Sequence, residues 1–503
     1  MSDSAYQILA LVLYFAAMIG IGLYAYRRTS DHEEYMLAGR QLPPGVAALS
    51  AGASDMSGWL MMGLPGAIYV AGLIEGWIAV GLTLGAYLNW LIVAPRLRAY
   101  TEVAGNSITI PSFFENRLKD STRMLRVVSG AIILVFFVFY VNSMMVAGGV
   151  FFESAFGTSY ITGLILVAGV TMAYTLIGGF LGASLTDVVQ GLLMMIVLII
   201  VPVMVVVHLG GVGATVDAIS DVDPSLLSPV GSEGFSGLTA LAIISALAWG
   251  LGYFGQPHII IRFMAMRDAA SARPARRIGI GWMAISLIGA VITGLVGVAY
   301  FTQESVDLGD PETVTLALSQ IFFHPLIAGF VLSAVLAAIM STISSQLIVS
   351  SSALVEDLYR TFTTRTPSQK SLLRLGQASV FGVAVIALLL SLNPSDTILA
   401  LVAFAWAGFG AAFGPAILLA LFWRGLTTWG VLSGMVVGAA GVFLWDAFGA
   451  EEVYEIIPGF LAHVVVAVIV SKLTATPNAE IEREFDAAVE LAARKAQRAE
   501  EPA

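Results

Sequence analysis

Residues 43–70 read PPGVAALSAGASDMSGWLMMGLPGAIYV, and this stretch decides the fold. It is long and apolar enough to cross a membrane as a helix, which takes about 20 residues. Near its middle, however, Asp55 stands in a small and polar segment, residues 51–59, that contains two glycines. Glycine weakens a helix through its conformational entropy, and serine and aspartate compete for its backbone hydrogen bonds. We therefore predict a membrane helix that is broken at mid-depth.

Asp55 is also the clearest candidate for a functional residue. An ionisable side chain inside a membrane span is costly and usually functional. Backbone carbonyl groups freed by a break must find a partner where no water is present, and a bound cation is such a partner. The alternative is a structural Asp55 that is buried against the hydroxyl groups of a neighbouring helix.

The composition indicates that many more helices cross the membrane. Of the 503 residues, 58% are hydrophobic and 12% are charged, whereas a soluble domain has about 45–50% apolar and about 25% charged residues. This excludes a soluble enzyme and a disordered protein, and the absence of a basic soluble module excludes a nucleic-acid partner. Thirteen apolar runs predict thirteen spans: 6–26, 43–70, 73–94, 125–152, 160–178, 188–208, 238–256, 276–301, 315–349, 373–392, 398–422, 427–447 and 455–471.

The basic residues predict the orientation of these spans. All 24 Lys and Arg fall in the odd-numbered loops and the tail, including Arg27, Arg28 and Arg40 in the first loop. Positively charged loops stay in the cytoplasm, so we expect the N-terminus outside and the C-terminus inside. The tail, residues 478–503, alternates acids, bases and alanines, and we expect it to be a soluble helix.

A second break is predicted around residues 249–258, WGLGYFGQPH, where three glycines and a proline interrupt the seventh run. Trp249 and Tyr253 are four residues apart and share one helical face. Close packing of an aromatic core is the alternative. The breaks lie in runs two and seven, and a shift of five spans reverses direction in the membrane. We therefore predict five-plus-five inverted repeats, in which paired broken helices form a site at mid-depth.

Hydroxyl groups in the ninth run give a third signal. Ser341 and Thr342 lie deep in the run, and Ala334, Ala338, Ser341 and Ser345 recur on one helical face. Hydroxyl and carbonyl oxygens suit a hard cation such as sodium. Bonding of these hydroxyls to their own helix is the alternative.

Other chemistries lack support in the sequence. No Gly-rich phosphate loop with a lysine is present, and no Ser/His/Asp set is identifiable. The five histidines have no metal-ligand spacing: His32, His208, His258, His324 and His463. We expect no enzyme, no organic cofactor and no obligatory protein partner.

Several stretches resemble the sodium/solute symporter family. They are LSAGASDMSGW (49–59), GLPG (63–66), GLTLG (81–85), IGGF (177–180), TDVVQ (186–190), GLGYFGQPH (250–258), MSTIS (340–344), WAGFGAAFGP (406–415) and YEIIPG (454–459). The resemblance covers residues 5–471 and implies an all-α integral membrane protein of thirteen helices with a LeuT-like inverted-repeat core. It also implies a bacterial plasma (inner) membrane. Ser345 stands where we expect a cysteine in the family, without consequence for the chemistry.

The resemblance further implies site residues. Sodium, the coupling ion, would be held by Ala53, Met56 and Ala338 through backbone oxygens and by Ser341 and Thr342 through hydroxyls, with Asp55 needed for coupling. Proline would be bound by Ser57, Gly58, Trp59, Tyr140, Trp249, Tyr253 and Pro257. Asp187, expected on the cytoplasmic loop after the fifth run, also matches, without an assigned role.

The expected organisation and function follow. We divide the chain into 1–42 (first helix and loop), 43–208 (first repeat), 209–237 (extracellular loop), 238–422 (second repeat), 423–471 (last two helices) and 472–503 (cytoplasmic tail). The leading hypothesis is sodium-coupled uptake of L-proline by alternating access. The alternatives are the same mechanism with another small zwitterion or organic acid, a proton-coupled carrier, and a membrane sensor or channel.

Overall fold

The computed structural model describes residues 2–27, 37–232, 234–363, 368–394, 396–450 and 452–498. Within these ranges the chain forms helices and no β-strand, and a single β-bridge joins Leu42 to Met266. A helix satisfies its backbone hydrogen bonds within one segment, as a chain in lipid must. The predicted all-α fold class is confirmed. Arg28 and His32, which the sequence analysis considered, lie outside the described residues.

In the described ranges, 11 helices are long and apolar enough to cross a membrane. They are Asp3–Tyr26, Trp59–Val103, Met124–Phe156, Gly179–His208, Gly237–Phe254, Ala269–Gln303, Pro325–Phe362, Ser371–Leu390, Ile398–Phe422, Thr428–Phe448 and Ile456–Leu473.

The predicted count of thirteen stays a prediction, because two runs do not form separate helices of this length. The break divides run 43–70, and its second part is counted together with the following helix as Trp59–Val103. The run 160–178 contains the shorter apolar helix Tyr160–Ala173.

The first broken helix consists of Pro44–Asp55 and Leu64–Ala71. Met56 has a ψ of 74° and so leaves the helical region directly after Asp55. A π-helical turn, Trp59–Gly63, then begins the second half. The break predicted around Asp55 is confirmed.

The second broken helix consists of Gly237–Ala248 and Pro257–Ala265, with the 3₁₀ segment Trp249–Phe254 between them. Glycine is needed in this break because the neighbouring chain comes very close. A Cβ atom on Gly252 would lie only 1.9 Å from Nε1 of Trp406. The second predicted break is confirmed as well.

The ninth run forms the serine helix, Pro325–Ser352, at the centre of the bundle. In the most apolar 18 residues of the span Pro325–Phe362, 83% of the residues are buried, which is the highest share among the 11 candidate spans. The serine helix packs against Asp3–Tyr26, Met124–Phe156 and Tyr160–His208. Every residue from Val331 to Ser352 is buried, so the hydroxyl groups in this part of the helix must find partners inside the protein.

Tyr160–His208 consists of two helical segments that meet at Gly179, where φ is 57° and ψ is −163°. Glycine adopts such a positive φ without steric strain, so the chain changes direction there without a loop. The separation of runs 160–178 and 188–208 is present as a break at Gly179, but the predicted position of Asp187 on a loop is wrong, because the segment Gly179–His208 contains it. Asp187 lies inside the helix and is fully buried.

The tail forms the helix Ala479–Arg498, as predicted, but it packs against Ala94–Val103 instead of extending freely into solvent. Phe485 is only 5% exposed. Lys119 Nζ pairs with Glu484 at 2.6 Å. Guanidinium groups that lie within 5.5 Å of the Phe485 ring centre belong to Arg96, Arg117 and Arg424.

Candidate cation and substrate site

Two hydroxyl groups of the serine helix contact the backbone of the first broken helix. Ser341 Oγ donates to the carbonyl oxygen of Ala53 at 2.8 Å, and Thr342 Oγ1 donates to that of Ser54 at 3.0 Å. Both hydroxyls also lie near the carbonyl oxygen of Ala338, at 3.1 and 3.2 Å. The fold thus brings together four residues that the sequence analysis assigned to the cation: Ala53, Ala338, Ser341 and Thr342.

Ser54 belongs to this group of oxygens, although the sequence analysis did not include it. Ala53 and Ser54 contribute two of the last carbonyls of Pro44–Asp55, and the final four carbonyls of a helix have no partner within it. That rule, applied to the predicted break, could have identified Ser54. Met56 begins the break, and the described hydrogen bonds do not join it to either hydroxyl.

Five oxygens now form the candidate site: the carbonyls of Ala53, Ser54 and Ala338 and the hydroxyls of Ser341 and Thr342. They are electrically neutral and suit a hard monovalent cation. Hard cations bind oxygen, whereas transition metals favour thiolate and imidazole ligands. Among the described residues, no group of three or more His, Asp or Glu side chains could hold a metal ion. A cation at this position would replace the hydrogen bonds that the two hydroxyl groups now donate to the freed carbonyls, and both kinds of oxygen would then coordinate it.

The Asp55 carboxylate contacts the second broken helix. Its Oδ2 accepts a hydrogen bond from the Tyr253 hydroxyl, which joins the two breaks directly. The carbonyl oxygen of Asp55 accepts a hydrogen bond from Nε1 of Trp59 at 3.0 Å. Asp55 is 1% exposed, so its charge depends on these contacts and on any bound cation.

Three buried polar atoms near the first break make no hydrogen bond of good geometry within the described residues: Asp55 Oδ1, Ser57 Oγ and Tyr140 Oη. The Tyr140 hydroxyl nevertheless lies close to Ser57 and Trp59. An unsatisfied buried polar group costs about 1–3 kcal/mol. Such groups in a native structure usually mark an ion, a water or a ligand. The polar end of a small solute can satisfy all three.

Aromatic rings surround the same region. The ring centres of Trp59 and Trp249 are 6.3 Å apart, and Tyr454 stacks on Trp249 at 5.3 Å. Trp406 meets Tyr253 edge to face at 5.1 Å. Tyr454 and Trp406 were not among the predicted site residues, although both lie in stretches that carry the family resemblance. These rings form an apolar wall beside the unpaired polar atoms.

Two predicted substrate residues occupy more distant or more crowded positions. A Cβ atom on Gly58 would lie 3.1 Å from Ile339 and 3.2 Å from Ala147, so this glycine allows close helix packing. Pro257 lines a small cavity of about 10 Å³ together with Asp357. The aromatic residues described above do not line that cavity.

A buried ion pair connects the helices next to the hydroxyl groups. Arg262 Nη2 donates to Asp187 Oδ2 at 3.0 Å and to Ser345 Oγ at 2.8 Å. Ser50 Oγ donates to the same Asp187 oxygen at 2.7 Å and accepts from Arg262 Nε at 2.8 Å. This network joins the two broken helices, the serine helix and Tyr160–His208. Ser345, expected to be without consequence, is one of its members.

Comparison with known proteins agrees with this architecture. The chain is 56% identical to the high-affinity proline transporter PutP of Bacillus subtilis over 93% of this chain and 98% of that protein. It is 53% identical to the osmoregulated proline transporter OpuE of the same organism, over 97% of this chain and 99% of OpuE. A sodium/proline symporter of Staphylococcus aureus (strain USA300) is 50% identical over 95% of this chain and 94% of that protein.

A solved structure of a Na⁺-coupled sialic acid symporter, in a substrate-bound outward-open state, covers 94% of this chain and 99% of its own. The TM-score is 0.80 at 18% identity, which shows a common fold, and the predicted LeuT-like class is confirmed. The profile of the sodium:solute symporter family matches residues 35–438. This protein is a transporter and not an enzyme, and it belongs to the sodium:solute symporter family.

Proposed function

We propose that this protein couples the inward movement of sodium to the uptake of L-proline by alternating access. The observation that carries the proposal is the set of neutral oxygens between the first broken helix and the serine helix, next to a pocket of aromatic rings. Relatives that are 50–56% identical to this chain are named as proline transporters or sodium/proline symporters.

In this proposal, sodium binds among the oxygens of Ala53, Ala338, Ser341 and Thr342, with the Met56 carbonyl joining them when the break rearranges. The Ser54 carbonyl completes the set, since Thr342 Oγ1 already contacts it at 3.0 Å. Asp55 lies two residues from Ala53 and supplies a negative charge that stabilises the cation from a short distance.

Proline binds on the other side of Asp55. Its ammonium group pairs with Asp55 Oδ1, and its polar groups contact Ser57, Gly58 and Tyr140. The rings of Trp59, Trp249 and Tyr253 enclose the apolar pyrrolidine. Pro257, which lines a separate cavity, acts on the pocket only through the helix that it begins after the second break. The unpaired state of Asp55 Oδ1, Ser57 Oγ and Tyr140 Oη supports this arrangement.

Coupling follows from the position of the cation between two separate helices. Sodium would hold the first broken helix against the serine helix, and the Tyr253–Asp55 hydrogen bond connects that helix to the second break. Sodium would then favour the conformation in which the proline pocket is formed. By linkage, proline must tighten sodium binding by the same factor.

The sodium gradient supplies enough energy for this transport. One charge that moves down about 100 mV releases about 2.3 kcal/mol, and a tenfold concentration gradient adds about 1.4 kcal/mol. The total supports a proline concentration inside that is roughly several hundred times the concentration outside, at one sodium ion per proline. We further propose a bacterial plasma membrane location with the N-terminus outside, and the division into repeats given above.

The test is uptake of radiolabelled proline into proteoliposomes with an imposed sodium, lithium or proton gradient. We expect saturable uptake that requires the inward sodium gradient. Uptake driven equally well by protons alone would refute sodium coupling. Failure of excess unlabelled proline to compete, with competition by another small zwitterion or organic acid, would refute the substrate, and sodium-independent conduction would indicate a channel.

A further inference from the structure

A buried carboxylate lies about four turns beyond the proposed sodium site on the same helix. The serine helix continues as a π-helical segment, Ala353–Tyr359, and Asp357 in this segment is 1% exposed. Asp357 is 15 residues from Thr342, or about 22 Å along a helix. π-Helical turns within α-helices occur frequently at functional sites.

The charge of Asp357 is only partly balanced. Its Oδ1 accepts a hydrogen bond from Thr109 Oγ1 at 2.8 Å, and Arg126 Nε lies 3.9 Å away. Arg126 Nε is closer to Glu115, with which it forms a tighter ion pair. One guanidinium group therefore serves two carboxylates. Asp357 Oδ2 has no hydrogen-bond partner among the described residues.

The neighbouring acid does not have this deficit. Glu356 precedes Asp357 in the chain and pairs with Arg360 Nη1 at 2.6 Å. The charged groups that act on Asp357 are thus Arg126, Glu115 and the paired Glu356. An uncompensated buried carboxylate is strongly unfavourable, and a small cation beside Oδ2 would remove the penalty.

A cavity of about 10 Å³ lies at Asp357, and Ser352 and Pro257 line it too. Ser352 is 3% exposed, and its Oγ also has no partner among the described residues. The volume is about that of one water-sized sphere. It can hold a single dehydrated cation or a water but cannot hold proline.

One face of the serine helix leads from the sodium site to this cavity. Thr342, Gln346, Val349, Ala353 and Asp357 follow each other in steps of three or four residues, which places them on one side of a helix. Gln346 is fully buried, and both polar atoms of its side chain lack a partner in the described part of the chain. The unsatisfied oxygens on this face therefore belong to Gln346, about one turn from Thr342, and to Asp357, about three turns further on.

We propose that Asp357 and Ser352 form a second, transient binding site for a monovalent cation. Sodium that leaves Ser341 and Thr342 moves along this face, past Gln346, and binds beside Asp357 Oδ2 before it enters solvent. The inference rests on the proposed sodium coupling. It assigns to Asp357 a part in ion release rather than in binding of the solute.

The test compares Asp357→Asn and Ser352→Ala with Glu356→Gln, the adjacent carboxylate that is already paired, as a matched control. Each purified protein is assayed twice. Sodium-stimulated proline binding at equilibrium reports on the first site. Proline uptake into proteoliposomes, with sodium titrated on the inner, release side, reports on the second site through inhibition by that sodium.

For Asp357→Asn we expect equilibrium sodium binding within about twofold of the wild type, with inhibition by release-side sodium shifted at least about tenfold to higher concentration, the effect of losing one contact to a charge. Ser352→Ala should shift it in the same direction by a smaller factor. Glu356→Gln should match the wild type. If Asp357→Asn does not fold, Ser352→Ala decides the question.

The proposal is overturned if release-side inhibition is unchanged in Ser352→Ala and in any folded Asp357→Asn, or if Glu356→Gln shifts it equally. It is also overturned if Asp357→Asn weakens equilibrium sodium binding as strongly as Ser341→Ala does. Proline uptake by the wild type that does not depend on sodium would instead refute the proposed function.

Discussion

Deleting either hydroxyl group of the proposed sodium site should raise the sodium concentration needed for proline binding. Ser341→Ala and Thr342→Val each remove one of the five oxygens, and valine preserves the shape of threonine. A contact between a polar group and a charge contributes about 1.5–3 kcal/mol. Since 1.4 kcal/mol corresponds to a factor of ten, half-saturating sodium should rise about ten- to hundredfold in each variant.

The serine helix offers a matched control for this experiment. Ser344 is fully buried like Ser341, but its hydroxyl donates only within its own helix, to the Ser341 carbonyl at 3.1 Å. Ser344→Ala should therefore change half-saturating sodium by less than about twofold, because it removes a hydroxyl without removing a proposed ligand. Thr342→Ser retains the oxygen and should recover most of the affinity that Thr342→Val loses.

The assay is binding of radiolabelled proline to the purified protein, with sodium titrated at several fixed proline concentrations. At saturating sodium, the hydroxyl variants should bind proline with nearly wild-type affinity, since the aromatic pocket is intact. Half-saturating sodium that is the same in Ser341→Ala, Thr342→Val and Ser344→Ala would refute the site, because the cation would then bind elsewhere.

Four further outcomes follow from the contacts described above. Asp55→Asn keeps the shape of the side chain but removes its charge. In the sodium titration of proline binding, half-saturating sodium should rise more than in either hydroxyl variant, and a wild-type value would show that Asp55 is not needed for coupling. Trp249→Ala and Tyr253→Ala should weaken proline binding with sodium binding largely intact, and unchanged proline affinity in both would remove these rings from the pocket. Arg262→Ala leaves the Asp187 carboxylate buried without its guanidinium partner, which should lower the free energy of unfolding by about 3–5 kcal/mol in thermal unfolding. The double variant with Asp187→Ala should recover part of this loss. No recovery would contradict the pairing. Phe485→Ala should release the tail helix and increase its proteolysis, and high salt should have the same effect on the wild type by screening the surrounding charges; an equally protected tail would show that these contacts do not hold it.

Much of the fold could be predicted from local features of the sequence. Both helix breaks were located correctly because glycine, serine, aspartate and proline act on the backbone where they stand. The prediction failed for Asp187: the chain breaks at Gly179, before the expected loop position, so Asp187 lies buried in the helical segment Gly179–His208. Apolar composition alone cannot distinguish a kink from a loop, because both interrupt the same pattern.

The candidate site could be predicted only in part. The hydroxyls of Ser341 and Thr342 were identified from their depth in an apolar run. The contact of Thr342 with Ser54 and that of Ser345 with Arg262 were missed, because each joins residues that are far apart in the chain. The Asp357 cavity was missed for the same reason, since Pro257 and Asp357 belong to different helices.

The sequence by itself determined that this is a membrane protein of many helices, two of which are broken at polar, glycine-containing segments. Hydrophobicity and backbone preference act over a few residues, so they can be read along the chain. Only the tertiary structure decided which oxygens face one another, which carboxylate contacts Tyr253 and which contacts Arg262. From Val331 to Ser352 the serine helix is buried on every side, so this part of its sequence has no polar face that would show its orientation. Its neighbours are set by the packing of whole helices, and that packing depends on the entire bundle.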